Sequence, residues 1–198
     1  MLEAYEKYLE LINNLLLKNY FEQQRHYLHC KKGCSHCCKS GQYPFSELEL
    51  QYLSFGYSKL EKQQQDAIWK KIEKIKEDKK NSSDKEFLYE CPFLVDESCS
   101  LYKYRGLICR THGLMFFILD KDGNSKAKIP NCVNLGLNYS NVYDKEQKVI
   151  SQALWKKSGI EEEPLAYNIG LKALMKNSAT DDLGLEFGKL KSLIDWFI

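Results

Sequence analysis

The stretch His29-Cys-Lys-Lys-Gly-Cys-Ser-His-Cys-Cys38 places Cys30, Cys34, Cys37 and Cys38 in the spacing C-x3-C-x2-C-C. Cys91, Cys99, Cys109 and Cys132 follow, so the middle of the chain must fold around eight sulfurs. A turn that gathers several sulfurs can aim them at one centre, and Gly33 supplies the backbone freedom such a turn needs. Thiolates are soft donors: they select zinc, copper(I) or iron-sulfur clusters over magnesium or calcium. Lys31, Lys32 and Lys39 flank the run, and nearby cations help a thiol to ionise.

Cys37 and Cys38 are neighbours whose side chains diverge, which points to two centres or one large one. Eight thiols suffice for two four-thiolate sites, and either Zn²⁺ or a [4Fe-4S] cluster held this way is a net dianion. Buried negative charge of that kind needs cationic or N–H partners. Arg105 and Arg110, bracketing Cys109, are the cofactor-binding candidates, and no catalytic residue is assigned. An even cysteine count also permits disulfides, but disulfide frameworks belong mostly to small secreted chains. For His29, His36 and His112, ligation is the alternative to surface or supporting roles.

At 198 residues the chain is long enough for one domain with a real core. Its 29 basic and 27 acidic residues are mixed, whereas a nucleic-acid binder would carry a basic face. Glu3, Glu6 and Glu10 stand where an export signal would be positive and apolar. The longest apolar run, Leu114 to Leu119, is far short of the ~20 residues needed to cross a bilayer. No nucleic-acid or membrane partner is expected, and the expected location is the cytoplasm.

In chain order, residues 2–27 read as an amphipathic helix with Tyr5, Leu9, Ile12, Leu16 and Tyr20 on one stripe, widened by Tyr8 and Leu15. Ser46-Glu-Leu-Glu49 has capping-box spacing, so a short helix starts there and Gly56 ends it. Residues 59–80 read as a lysine-rich helix buried along Ile68, Ile72 and Ile75, followed by a polar loop over 81–85. Pro92 bars a central strand and leaves Cys91 as a loop ligand. Residues 114–120 and 125–129 form a hairpin, with Asp122-Gly123 in its turn. Further helices are expected over 144–157, 164–176 and 188–197.

Taken together, C-x3-C-x2-C-C, then Cys91-Pro92-Phe93-Leu94, then Cys99 with Leu101, Tyr102, Arg105, Cys109 and Arg110, then Cys132, resemble the YkgJ-type cysteine-cluster family. That family is associated with zinc or iron chelation and includes flagellin lysine-N-methylase. The resemblance covers residues 30–132. Arg105-Gly106 stands where the family usually has Arg-Pro, which loosens the turn without removing a ligand. The resemblance implies metal binding more directly than it implies a reaction.

The expected fold is mainly α with a small β-hairpin: a single domain, 1–198, around an irregular cysteine-rich metal-binding core at 30–132. The N-terminal helix (1–29) and the C-terminal helices (133–198) would pack on that core. The expected function is a metal-binding protein holding an iron-sulfur cluster (4Fe-4S) or Zn²⁺. The proposed ligands are Cys30, Cys34, Cys37, Cys38, Cys91, Cys99, Cys109 and Cys132, with a protein substrate or acceptor as a further partner. The alternative is an S-adenosylmethionine-dependent protein lysine N-methyltransferase, the activity the resemblance brings with it. The chain shows no glycine-rich donor loop, so S-adenosylmethionine would have to bind at the cluster itself.

Overall fold

The computed structural model describes residues 1–84, 86–119 and 122–198. Lys85, Asp120 and Lys121, expected in the polar loop, the first hairpin strand and the segment leading into its turn, lie outside the described residues. The fold is mainly α with small β elements. The longest helix is Lys62–Asn81, and among the described residues no strand is longer than Met115–Leu119. Among the described residues no helix is long and apolar enough to cross a membrane. The chain clusters into two compact units: Glu3–Lys31 with Arg110–Gly184, and Lys32–Cys109 with Leu185–Ile198.

In the first unit the N-terminal helix changes its winding part-way. It is α-helical over Leu2–Leu11, π-helical over Ile12–Leu17 and α-helical again over Lys18–Gln23. Tyr5, Tyr8, Leu9 and Ile12 are buried as the stripe requires. A π segment adds residues per turn and rotates everything after it. Leu17 is therefore buried in place of Leu16, and Leu15 is 70% exposed. Gln24, 1% exposed, then ties the helix to a distant loop, donating to the Glu163 carbonyl at 3.0 Å and accepting from the Leu165 amide at 3.0 Å.

The expected hairpin forms, with Met115–Leu119 antiparallel to Ser125–Lys128 and Phe116 opposite Lys128. Ala166–Tyr167 adds a third, parallel strand against Met115 and Phe116. A core of Tyr27, Met115, Val133, Tyr139 and Val142 lies in this unit. The helix expected over 144–157 is shorter. Tyr143–Asp144 and Val149–Ile150 pair first, and the helix occupies Gln152–Ser158, capped by the Ser151 hydroxyl. Residues 164–176 hold a strand and then the helix Leu171–Met175.

In the second unit the capping box is present. Ser46 Oγ accepts from the Glu49 amide, and the Glu49 carboxylate accepts from the Ser46 amide at 2.8 Å. The helix Glu47–Tyr57 runs through Gly56 instead of ending at it. Gly56 is small because the Tyr104 ring lies where a Cβ would go. The expected C-terminal helix is replaced by a strand, Leu190–Ser192, antiparallel to Pro44–Ser46, and a 3-10 turn, Leu193–Trp196. The ladder continues as the Glu47 amide donates to the Lys189 carbonyl and the Leu48 amide to the Phe187 carbonyl. Two of the free amides at the start of Glu47–Tyr57 are thereby satisfied by the segment that leads into the strand Leu190–Ser192. Leu193 and Ile194 then join Phe45, Leu53, Ile68, Ile72 and Phe93 in one core.

Candidate metal centre

Three pieces of the Lys32–Cys109 segment carry the sulfurs. One helical turn, His36–Lys39, presents Cys37 and Cys38 with their sulfurs 3.9 Å apart, so the two side chains converge instead of diverging as their adjacency suggests. The Cys91 amide donates to the Cys38 carbonyl at 2.8 Å, and Gly41 and Tyr89 form a bridge beside it. The Tyr43 hydroxyl reaches the Cys38 and Tyr89 carbonyls at 2.8 and 3.2 Å, so the two sulfur-bearing strips are bound through their main chains. From Cys91 the chain turns at Pro92 into the pair Leu94–Val95 and Ser98–Cys99, which brings Cys99 back opposite Leu94. Cys109 stands in the short helix Leu107–Thr111, whose Leu107 amide donates to Glu49 Oε1 at 2.7 Å.

The thiols act on one another electrostatically. Burial pushes Cys109 up to about 12, and the neighbouring Cys99, Glu49 and Cys37 add to the rise. Cys91 is raised by burial and then by Cys109 and Cys99. Cys99 is raised by burial, with a smaller contribution from Cys37. Cys37 is raised first by its contact with Cys38 and then by burial. Cys37, Cys91, Cys99 and Cys109 are therefore held toward the neutral thiol, and Cys38 joins the set through its contact with Cys37.

Arg105 is the cation that opposes this, lowering Cys37, Cys99 and Cys109. Its guanidinium lies 3.6 Å from the centroid of the Tyr102 ring and donates to the Tyr102 carbonyl at 3.2 Å. Tyr102 is 64% exposed, so it acts as a platform for Arg105 more than as packing; Phe93, by contrast, is core. Arg110 is buried one residue after Cys109. Lys71 acts on Cys91 in the same sense as Arg105. Glu97, at the tip of the Cys91–Cys99 hairpin, accepts from the Ser35 hydroxyl and pairs with Lys39 at 2.8 Å. It thereby clasps the hairpin to the turn carrying Cys37 and Cys38.

Cys34 lies in the same unit as these five. Cys30 and Cys132 belong to the other unit. There Cys30 Sγ accepts from the side-chain amide of Asn138 at 3.1 Å, and Cys132 sits in the 3-10 turn Asn131–Leu135. None of the eight cysteines is in a disulfide. His29 offers its main-chain amide to Asn138 Oδ1 at 2.7 Å, and His36 opens the turn of Cys37. His112 Nε2 is buried with no hydrogen-bond partner among the described residues, and desolvation lowers the pKa of its ring.

Among the described residues no three Cys, His, Asp or Glu side chains already converge at metal-coordinating spacing. The donor set still fits a soft metal or cluster. It is all sulfur, its members are near enough to act on one another, and a bound cation would stabilise the thiolates that burial disfavours. Glu49, Glu97 and Asn138 escape the sequence reading of the site. Only Glu49 had a local signal, its place in the capping box.

The chain belongs to the CxxCxxCC family, described as a putative zinc- or iron-chelating domain, which it matches over residues 29–133. No curated protein and no solved structure matches it.

Proposed function

We propose that this protein binds an iron-sulfur cluster or zinc through clustered cysteine thiolates, with an iron-sulfur cluster as the favoured occupant. The observation that carries the reading is the linked set of Cys37, Cys38, Cys91, Cys99 and Cys109 beside Arg105. These thiols stay neutral in a metal-free interior, and a bound metal would stabilise their thiolate forms, with the platform-held Arg105 guanidinium acting in the same sense. Cys34, Cys30 and Cys132 are proposed as further donors. Either occupant would cross-link the segments it binds, and a cluster would add one-electron chemistry.

Iron-sulfur is favoured on sequence grounds. Cys91-Pro92 echoes the C-P ending of ferredoxin ligand runs, and there are more thiolates than one zinc ion needs. Anaerobic purification followed by metal analysis, ultraviolet-visible absorption and EPR tests the reading. Brown protein with iron and sulfide, whose iron content falls in Cys37→Ser and Cys109→Ser, is the expected result. Colourless protein with two zinc equivalents would overturn the iron assignment, and metal-free protein with four disulfides would overturn metal binding altogether.

A further inference from the structure

We infer that Asn138 is a positioning residue for Cys30, holding its sulfur in place and donating an N–H···S hydrogen bond to it when it binds a metal. The inference rests on the thiolate-metal reading above. Asn138 is 1% exposed and every polar position of its amide is used. Oδ1 accepts from the His29 main-chain amide at 2.7 Å, while Nδ2 donates to the Gly113 carbonyl at 3.0 Å and to Cys30 Sγ at 3.1 Å. These partners fix the orientation of the amide. Flipping it would set N–H against N–H at His29 and oxygen against oxygen at Gly113. An N–H is therefore what faces the sulfur.

Gly113 makes the approach possible. Its φ is +102°, and a Cβ there would come within 2.8 Å of Cys30 Sγ and 3.0 Å of Asn138 Nδ2. On the other side the chain is led from one thiol to the other. The Leu137 amide donates to the Cys132 carbonyl at 3.2 Å, and Gly136 turns the chain at φ +74°. Asn138 thus receives its position from the Cys132 turn and passes it to Cys30. Cys30 itself is exposed. An N–H donor stabilises negative charge on sulfur without adding net charge, and partners that orient metal-binding side chains in this way contribute about ten- to a hundredfold in affinity. Asn138 lies outside the 29–133 family match, so this support comes from the part of the chain that the cysteine pattern does not describe.

The test is an anaerobic Co²⁺ titration of the full chain. Sulfur-to-cobalt charge-transfer absorption reports the bound thiolates, and chelator competition gives the affinity. Asn138→Asp keeps the shape and the acceptor for His29 but removes the N–H. It is expected to weaken Co²⁺ binding about tenfold and to lose the same share of charge-transfer absorption as Cys30→Ser. The double variant should be no weaker than Cys30→Ser alone. Gly113→Ala, whose Cβ would press on both the Cys30 sulfur and the Asn138 amide and part them, should reproduce the loss if Asn138→Asp does not fold. Wild-type affinity in Asn138→Asp, or effects that add in the double variant, would overturn the inference while leaving thiolate binding intact. A wild-type protein with no charge-transfer absorption would overturn the metal reading and this inference with it.

Discussion

In the Lys32–Cys109 unit, burial and mutual proximity hold Cys37, Cys91, Cys99 and Cys109 toward the neutral thiol, and Arg105 and Lys71 oppose this. In the other unit Cys30 has an exposed face and an amide donor of its own. The first arrangement favours neutral thiols until a metal arrives, whereas the second supports a thiolate without any change in net charge. Metal binding expels a thiol proton in either unit; crowding raises the cost of that loss, and an N–H donor lowers it. The two units therefore prepare sulfur for a metal by different physical means.

The largest way to break the crowded arrangement is through Glu49, which is 1% exposed. Its carboxylate accepts from the Ser46 amide and hydroxyl and from the Leu107 amide, joining the start of Glu47–Tyr57 to the start of the Cys109 helix. It also raises Cys109, so it impedes the chemistry while it holds the geometry. Glu49→Ala would strand buried donors at about 1–3 kcal/mol each, and we expect a loss of about 3 kcal/mol in denaturant unfolding. Glu49→Gln, keeping one oxygen and losing the charge, should cost less and make Cys109 easier to alkylate.

That case also shows how far the sequence could be read. The capping box at Ser46 and Glu49 is local and was legible, as were the buried edge Ile68, Ile72 and Ile75 and the hairpin around Gly123. Glu49's bond to Leu107 spans 58 positions and leaves no local pattern. Leu190, Leu193, Ile194 and Phe197 have helical spacing, which predicts a helix for the C-terminal segment. Pairing of Leu190–Ser192 with Pro44–Ser46 overrode that spacing, since the helix amides at Glu47 and Leu48 needed acceptors. Gly56 looked like a stop and is a gap filled by Tyr104. At the site the cysteines themselves were plain, and so was Arg105. Asn138 was invisible because a single amide carries no periodicity.

A pH series separates the two modes. In metal-free protein the raised pKa of Cys109 means that the folded state keeps its proton while the unfolded chain gives it up near 9.0. Its contribution to stability is therefore complete below pH 9 and is lost as pH rises toward about 12. Cys91, Cys99 and Cys37 shift in the same direction. Denaturant midpoints of the metal-free protein should fall steadily above pH 9, and metal affinity should rise with pH because binding expels protons. Flat midpoints across that range would mean that the thiols are not crowded in solution.

Removing the offsetting cation is a smaller intervention. Arg105→Gln should lower metal affinity about tenfold, as expected for a partner outside the ligand set, with little change in folding. Tyr102→Ala removes the platform and not the charge, so it should reproduce only part of that loss. If Tyr102→Ala equals Arg105→Gln, the ring matters more than the charge, and the electrostatic half of the comparison fails.

The smallest effect on stability is expected at Glu97, and its sign is what makes it informative. Asp96 and Glu97 connect Leu94–Val95 to Ser98–Cys99 with φ of +47° and +56°, the left-handed region where a two-residue hairpin turn favours Asn-Gly. A glutamate there carries backbone strain that glycine would relieve. What Glu97 gains is a carboxylate that Lys39 and the Ser35 hydroxyl hold below the usual carboxylate range, one that ties the Cys91–Cys99 hairpin to the turn of Cys37 and Cys38. Glu97→Gly should therefore melt at or slightly above the wild-type temperature yet give up its metal to a chelator faster. Because the Lys39 contact is exposed, high salt should bring wild-type release toward that of the variant. A variant that is both less stable and unchanged in metal release would show that the turn is merely a turn and that the crowded thiols need no clasp.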